Sequence, residues 1–599
     1  MADNKVLDIE KAFNSAESMA EEISYKSHSW QSARQQWKNE KVELREYLFA
    51  TDTSKTSNST LPWRNTVTIP KLTQIRDNLH ANYEMALFPN DDWLQWEAYS
   101  SDSVDKDKVA AITAYMENKL RESDFRTVMS QCLLDYIDYG FACATVDFIK
   151  ERQNDPSTGD DIYTYTGPRA IRVSPLDIVF DITAASFKRT PKIRRILKQI
   201  GQLKKEIEAD MDNPNTKWKK VAFDKAMEFR SSIAQYDSAD IEKAAGYTVD
   251  GFTTLHDYYR SGTVELLEFE GDIFDPKTGE LHESQIITIM DRMHVVREED
   301  QPSWVEATTY HGVPWRRRPD NLMGMGPLDN LVGMQYRIDH LENLKDDALD
   351  LAVFPPLVIQ GNVEAFNWGP NEEIDVGDDG NVTELGRNLN GVIVAENNIA
   401  ALEQKMEEMA GAPKQALGIR SPGEKTAFEV QSLDNAASRI FQHKINQFEV
   451  EFLEPLLNLM LETARRNLDG TDIVRVMDND LAVMDFIEIT RDDLTAKGKL
   501  RPVGARHFAE KAKLIQELSG LFNTRLGEMV APHTSGKKLA ALIENSLHLQ
   551  RHEIFIPNIA IAEQKETQSM VNAAQAQVEE EAATPEPMTA EEEALEVQQ

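Results

Sequence analysis

The segment GIRSPGEKT, residues 418–426, carries residue types that could bind a nucleotide phosphate. A phosphate-binding loop has the pattern G-x-x-x-x-G-K-[ST], in which backbone amides and the lysine contact the phosphates. Gly418 and Gly423 have the required spacing, but Glu424 stands before Lys425 and would place a negative charge against a phosphate. The preceding residues, MEEMAGAPKQAL, indicate a helix rather than the buried strand that such loops follow. The pattern therefore gives little support to a nucleotide site.

Two other segments resemble ligand-binding loops only in part. GMGPLDNLVG, residues 324–333, begins like a dinucleotide fingerprint, but Asp329 occupies the position of the third glycine. DVGDDGNVTELG, residues 375–386, is partly similar to a calcium loop, but glycines replace a ligand at its third position and the bidentate glutamate at its end. Both segments are expected to form turns.

Other catalytic and metal-binding patterns are missing from the sequence. The twelve histidines show no HExxH spacing, and there is no GxSxG elbow. Only two cysteines occur, Cys132 and Cys143, in an apolar stretch where buried, unreactive thiols are expected. The sequence therefore predicts no catalytic residues, no metal site and no cofactor, and hence a protein that is not an enzyme.

The charge balance limits how the chain can interact with nucleic acid. Asp and Glu number 101 against 65 Lys and Arg, and the formal net charge is -36. Tight DNA binding requires cations that neutralise phosphates, so this chain is not expected to grip DNA. Several copies in a ring would instead repel the duplex and let it slide through.

The sequence contains no apolar run long enough to predict a membrane span, and the N-terminus lacks the pattern of a secretory signal.

Helices and short strands must position any functional residues, and the fold class predicted is α+β. Helical spacing of apolar residues occurs over 1–50, 66–90 and 104–140. Alternating β-branched and aromatic residues predict strands from 138 to 150 and over much of 252–310.

A helix of about 20–25 residues is predicted after Pro327, because apolar residues recur there every three or four positions. Proline is favourable at a helix start, and Pro355 and Pro356 should end the helix. The residues of this apolar stripe, which are the candidates for packing in a stem, are Leu331, Met334, Ile338, Leu341 and Leu344.

The chain after residue 356 alternates between small β-like and helical pieces. We expect a β-like module to 398, then a helix to about 417 and a turn at Gly418–Gly423. A long helix at about 426–467 should be kinked by Pro455. Further pieces are a β-like segment at 473–489, helices at 505–524 and 535–549, and an acidic tail that is predicted to be disordered.

A basic patch lies between residues 187 and 230. Its lysines and arginines would form a solvated helix face, or else contact an acidic neighbouring subunit or packaged DNA. The candidates for such a subunit contact are Arg194, Arg195 and Lys198.

The order of these elements resembles the portal proteins of tailed bacteriophages, which form the head-to-tail connector. GMGPLDNLVGMQYRIDHLENLKDDALDLAVFPPLVIQG is similar to the stem helix that leads into the clip of that family. LGIRSPGEKTAFEVQSLDNAASRIFQHKINQFEVEFLEPLLNLML resembles its tunnel loop and long spine helix, and LPWRNTVTIPKLTQIRDNLHANYEMALFPNDDWLQW and DYGFACATVDF resemble its wing. The resemblance covers about residues 60–550 and rests on the ordered series rather than on one specific motif.

The resemblance implies a map of the chain with wing, stem, clip and crown, mainly helical with small β modules. The parts would be a wing at 1–325, a stem helix at 326–352, a clip at 353–398, a second stem helix at 399–416, a tunnel loop at 417–426, the spine helix and wing return at 427–489, a crown at 490–560 and an acidic tail at 561–599.

The resemblance also implies a function and partners. About twelve copies would form a ring by a repeated heterologous interface at one capsid vertex of the virion, after assembly in the host cytoplasm. Double-stranded DNA would pass through during packaging and ejection, and terminase, capsid or scaffolding protein and a tail adaptor would dock; no membrane insertion is expected. Arg420 and Lys425 of the tunnel loop would touch phosphates transiently, or would merely pair with local carboxylates such as Glu424.

Two alternatives remain open from the sequence alone. The chain could be another virion structural protein, such as a tail adaptor or an internal core protein. Less favoured is a nucleotide-driven motor, which would require the loop at 418–426 to bind ATP through Lys425.

Overall fold

The computed structural model divides the chain into two compact units. The first comprises Met1–Val474 and Phe486–Gly504, and the second comprises Arg475–Asp485 and Ala505–Gln599. The residues that the structure describes are 2–49, 65–88, 93–98, 106–154, 161–211, 216–233, 262–274, 279–304, 308–353, 355–361, 363, 378–384, 390–410, 440–468, 471–478, 483–491, 494 and 498–502.

Helices dominate the described part of the chain before residue 140, as the apolar spacing predicts. They are α1 (Ala2–Ala33), α2 (Gln35–Phe49), α3 (Lys71–Leu87), α4 (Lys106–Glu122) and α5 (Phe125–Asp138), with the short strand β1 (Leu94–Ala98) between α3 and α4.

A buried arginine holds the junction of α1 and α2 against a loop far along the chain. The guanidinium of Arg34 donates hydrogen bonds to the carbonyl oxygens of Pro175 at 2.7 Å, Leu176 at 2.6 Å and Ile178 at 2.6 Å. Because charged donors form strong hydrogen bonds, these contacts fix where the two N-terminal helices begin and end.

An antiparallel sheet of five strands forms one core of the first unit. Its strands run in the order β4 (Ile178–Phe180), β5 (Lys192–Gln199), β6 (Thr263–Phe274), β7 (Leu281–Met290) and β8 (His294–Asp300). Side chains alternate between the two faces of a strand. On β6, Leu267 and Phe269 pack with Met19 and Ile23 of α1. The opposite face carries Val264 and Leu266, which pack with α6 (Ile200–Asp210) and α7 (Lys220–Ile233).

A second antiparallel sheet has three strands in the order β3, β2, β9. Its strands are β2 (Phe141–Asn154), β3 (Asp161–Arg172) and β9 (His311–Pro314), and α5 packs on β2 and β3. A tight hairpin follows β9, formed by β10 (Arg316–Arg318) and β11 (Asn321–Met325). The strand predicted at 138–150 is confirmed, and β2 continues beyond that range to Asn154.

Two helices and a two-stranded sheet form a hairpin that we call the arm. The arm consists of α8 (Val332–Val353), β12 (Leu357–Gln360), β13 (Asn381–Glu384) and α9 (Asn390–Ala410), with β12 and β13 antiparallel. The predicted length of the first helix is confirmed, since α8 has 22 residues, which corresponds to about 33 Å of rise.

The last described part of the chain returns to the core of the first unit. Residues 440–448 are helical, a π turn spans Glu449–Leu453, and α10 (Glu454–Asn467) follows. Pro455 has no N–H to bond four residues back, and the π turn lies directly before it; the kink that we predicted there stays a prediction. Strands β14 (Thr471–Asp478) and β15 (Val483–Thr490) pair with each other, and β16 (Gly498–Pro502) pairs with β1.

The α+β fold class is confirmed, and two local predictions were wrong. The second arm helix begins at Asn390, whereas the sequence placed β-like structure up to residue 398. The basic residues from Lys192 to Lys198 lie on the strand β5 and not on a helix face, because Lys192 and Arg194 pair across the sheet with Glu270 and Glu268 of β6. Lys204 and Lys205 of the same patch are exposed on the helix α6, as predicted. The tunnel loop, the C-terminal helices and the acidic tail lie outside the described residues.

Candidate functional site

An extended segment, residues 65–70, lies along α8 and is held by that helix's side chains. Oδ1 of Asp347, Asn343 and Asp339 accepts hydrogen bonds from the backbone amides of residues 65, 67 and 69, at 2.8, 2.8 and 3.2 Å. Gln335 continues the series, since its Oε1 accepts from the amide of Leu72 at 3.1 Å and its Nε2 donates to the carbonyl of Ile69 at 2.6 Å. We call this series the ladder.

Helix and strand geometry explains why the ladder keeps its register. The four ladder residues of α8, Gln335, Asp339, Asn343 and Asp347, are spaced four apart and so rise about 6 Å per step along one face of the helix. An extended chain advances about 6.6 Å over two residues, and alternate amides point the same way. A helix face of polar residues at this spacing therefore replaces the neighbouring strand that an extended segment would otherwise need.

The same segment also fastens α9. Nζ of Lys71 lies 2.6 Å from Oε1 of Glu407, and both side chains are less than a tenth exposed. Lys71 and Leu72 are adjacent, so the end of α9 and the start of α8 lie side by side and the two helices are antiparallel. Met406 and Ala410 are buried at this end, which we call the base of the arm.

One ladder residue has a buried oxygen atom without a hydrogen-bond partner among the described residues. Asp339 is 2% exposed, and its Oδ2 has no hydrogen-bond partner among the described residues. Burial raises the pKa of Asp339 to about 6, against the effects of the Ile69 amide and Gln335. The folded chain therefore pays a desolvation penalty whenever this carboxyl is ionised.

The other end of the arm exposes apolar side chains from both helices and from β12. We call these residues the apolar tip. On α9, Ile393 is 63% and Val394 is 67% exposed, whereas Ile399 and Met406, nearer the base, are buried. Contiguous exposed apolar side chains usually mark an interaction surface. The members of the tip are Leu349, Val353, Val358, Ile359, Ile393 and Val394.

The predicted stem-packing residues differ in exposure. Leu331, Ile338 and Leu341 are buried within this chain, where α8 and the 3₁₀ turn before it contact α2, α3 and α9. Met334 is half-buried, and Leu344, in the middle of α8, is 47% exposed. Of the five, Leu344 thus leaves the largest share of its surface for a neighbour.

The residues predicted to contact a neighbouring subunit have partners inside the chain. Arg194 bonds to Tyr310 and faces Glu268, and Nε of Arg195 lies 3.7 Å from Glu265. Nζ of Lys198 lies 2.8 Å from Glu206. An intersubunit role for these three residues stays a prediction.

The predicted tunnel-loop residues, Arg420 and Lys425, lie outside the described residues. Within the described ranges, no group of His, Cys, Asp or Glu has the arrangement of a metal site. None of the helices that the structure describes is long and apolar enough to cross a membrane.

The ladder was not predicted from the sequence, although a polar residue stands at every fourth position from 335 to 347.

Comparison with known proteins does not add a relative to these observations. No protein-family model matches the sequence, and no curated protein matches it.

We predict that Asn343→Leu destabilises the first unit by about 1 kcal/mol, because the partly buried hydrogen bond from the amide of Val67 loses its acceptor. The matched control is Arg337→Leu, on an exposed face of the same helix. Thermal unfolding followed by circular dichroism should show a lower midpoint for the first variant alone. Equal midpoints for the two variants would count against the ladder.

We predict that Asp339→Asn stabilises the chain at pH 8 by about 1–3 kcal/mol and has little effect near pH 4. The folded pKa lies above the unfolded value of about 3.9, so the folded state binds more protons between about pH 4 and 6 and wild-type stability falls as the pH rises through that window. The measurement is the difference between variant and wild-type unfolding midpoints at several pH values. A difference that does not change with pH would contradict the buried-carboxylate explanation.

Proposed function

We propose that the chain is a portal protein of a tailed bacteriophage, one subunit of a ring through which DNA enters and leaves the capsid. The arm is the observation that carries the proposal. It has the helix, small β module and helix that correspond to the stem and clip of the portal family, in the order found in the sequence. In this assignment α8 and α9 are the stem, and β12 and β13 belong to the clip.

The two ends of the arm support ring formation. Its base is fastened to the N-terminal part of the same chain through the ladder and the ion pair of Lys71 with Glu407. Its apolar tip is exposed in the single chain. Copies related by rotation would cover the tips of one another, which would remove this apolar surface from water.

The charge of the chain favours a passive conduit. A formal net charge of -36 on each subunit would repel the phosphate backbone from most of the surface of a ring. Such a ring would let DNA slide, while motor activity would come from a docked terminase. The proposed location is the capsid vertex, with capsid protein and a tail adaptor as further partners.

We expect the purified full chain to form a ring of about twelve copies, as a repeated rotational interface requires. Native mass spectrometry would give the number of copies, and electron microscopy of the same sample would show a central hole wide enough for double-stranded DNA. A chain that stays monomeric at high concentration, or a ring with a closed centre, would contradict the proposal.

The apolar tip provides the sharper test of the interface. We expect Val394→Asp to prevent or strongly weaken ring assembly, because a buried carboxylate would replace an apolar contact. The matched control is Val221→Asp on α7, which is 69% exposed compared with 67% for Val394. Both variants should keep the helical signal of the wild type, and equal assembly of the two would show that the tip is not part of the interface.

A further inference from the structure

A cleft of about 650 Å³ lies outside the arm, in the core of the first unit. It is bounded by residues 185–188, β9, the hairpin of β10 and β11, and the helical turn around Val450 and Pro455. Its volume is in the range of small-molecule sites, which is roughly 300–1,000 Å³.

The rim of the cleft is positively charged in a chain that is acidic overall. All three residues of β10, Arg316, Arg317 and Arg318, are exposed, and Lys188 lies across the cleft from this hairpin. Arg317 pairs with Glu451. Arg318 has no ion pair within the described part of the chain, so its guanidinium fork is open to a ligand.

The positive surface continues beyond the cleft. An adjoining pocket shares Arg317 and Glu451 with it and is also lined by His443 and Lys444. Nζ of Lys444 lies 4.7 Å from the ring centre of Trp315. Burial, together with the charges of Arg316 and Arg317, lowers the pKa of Lys444. The positive charges of Lys444, Arg316 and Arg317 therefore lie close together here, although they repel one another.

One of the residues that line the cleft is a buried histidine. His311 is 2% exposed and lines the cleft, and its Nε2 has no hydrogen-bond partner among the residues that the structure describes. Burial, and then the charges of Lys188 and Lys192, lower the pKa of His311 to about 3. The ring is therefore neutral at pH 7, and a buried unpaired nitrogen is unfavourable unless a ligand or water bonds to it.

The remaining lining is largely apolar. Phe141, Phe187 and Leu322 contribute to the walls. An apolar wall with a few convergent polar groups is the usual composition of a site for a small organic ligand.

We propose that this cleft binds a phosphate group, with Arg318 and Lys188 as its charged contacts and the ring of His311 in its wall. Guanidinium forks match phosphate oxygens in two-point contacts, and the lysine adds a point charge. The phosphate could be carried by a free nucleotide or by a nucleic-acid backbone. The proposal does not depend on ring assembly and goes beyond the conduit function.

The test uses the full chain and three probes: inorganic phosphate, AMP and a fluorescently labelled short DNA duplex. Calorimetry measures the first two, and fluorescence anisotropy at several salt concentrations measures the third. We expect saturable binding that Arg318→Gln weakens about tenfold or more, the equivalent of losing one charge-assisted hydrogen bond. Arg121→Gln, which removes an exposed arginine at the end of α4 outside the cleft, should leave binding unchanged.

The pattern across the probes identifies the source of the phosphate. Binding of AMP but not of the duplex supports a free phosphate ester, and binding of the duplex with a salt dependence that decreases in Arg318→Gln supports a nucleic-acid backbone. Binding of none of the three probes, or equal losses in the two variants, would overturn the proposal. Binding of polyglutamate in place of all phosphate probes would overturn it as well, in favour of an acidic protein partner. Ring assembly is measured on the same samples, and its result tests the proposed function and not the phosphate site.

Discussion

The structure depends on one requirement, that the backbone amides of Asn65, Val67, Ile69 and Leu72, which lie along α8, must find hydrogen-bond acceptors. No strand in the described part of the chain pairs with this segment, and the side chains of α8 supply the acceptors instead. Each such bond contributes only about 1 kcal/mol, but leaving a buried amide unpaired costs about 1–3 kcal/mol. The register of the ladder and the neighbouring ion pair of Lys71 with Glu407 therefore determine where both arm helices join the N-terminal helices.

This fastening gives the arm two ends with different properties. The base is buried and polar contacts fix it, whereas the tip presents apolar side chains such as Val353 and Val394 to water. The proposed ring of acidic subunits would cover these tips and remove their apolar side chains from water. The basic cleft beside β10 is a local exception to that charge, and among the described residues Arg318 has no ion pair there and Nε2 of His311 has no hydrogen-bond partner.

Local patterns predicted the elements well and their partners poorly. Apolar spacing and Pro355 with Pro356 located α8, and alternation located β2. The ladder was missed because polar residues at every fourth position, such as Asp339 and Asn343, look the same on a solvated face as on one that binds a segment about 270 residues away. The strand β5 was missed because its arginines are stabilised by β6 carboxylates that are distant in sequence. The start of α9 was misplaced because Asn390 and Gly391 favour a turn as well as a helix N-terminus.

Hydrogen–deuterium exchange of the backbone amides of Val67, Ile69 and Leu72 in the full chain tests the fastening of the arm most directly. These amides bond to buried side chains of α8, so they should exchange as slowly as the helical amides of residues 338–343. Exchange at the rate of an unstructured peptide, while α8 itself stays protected, would show that the segment is not held by the helix and that the arm is anchored in some other way.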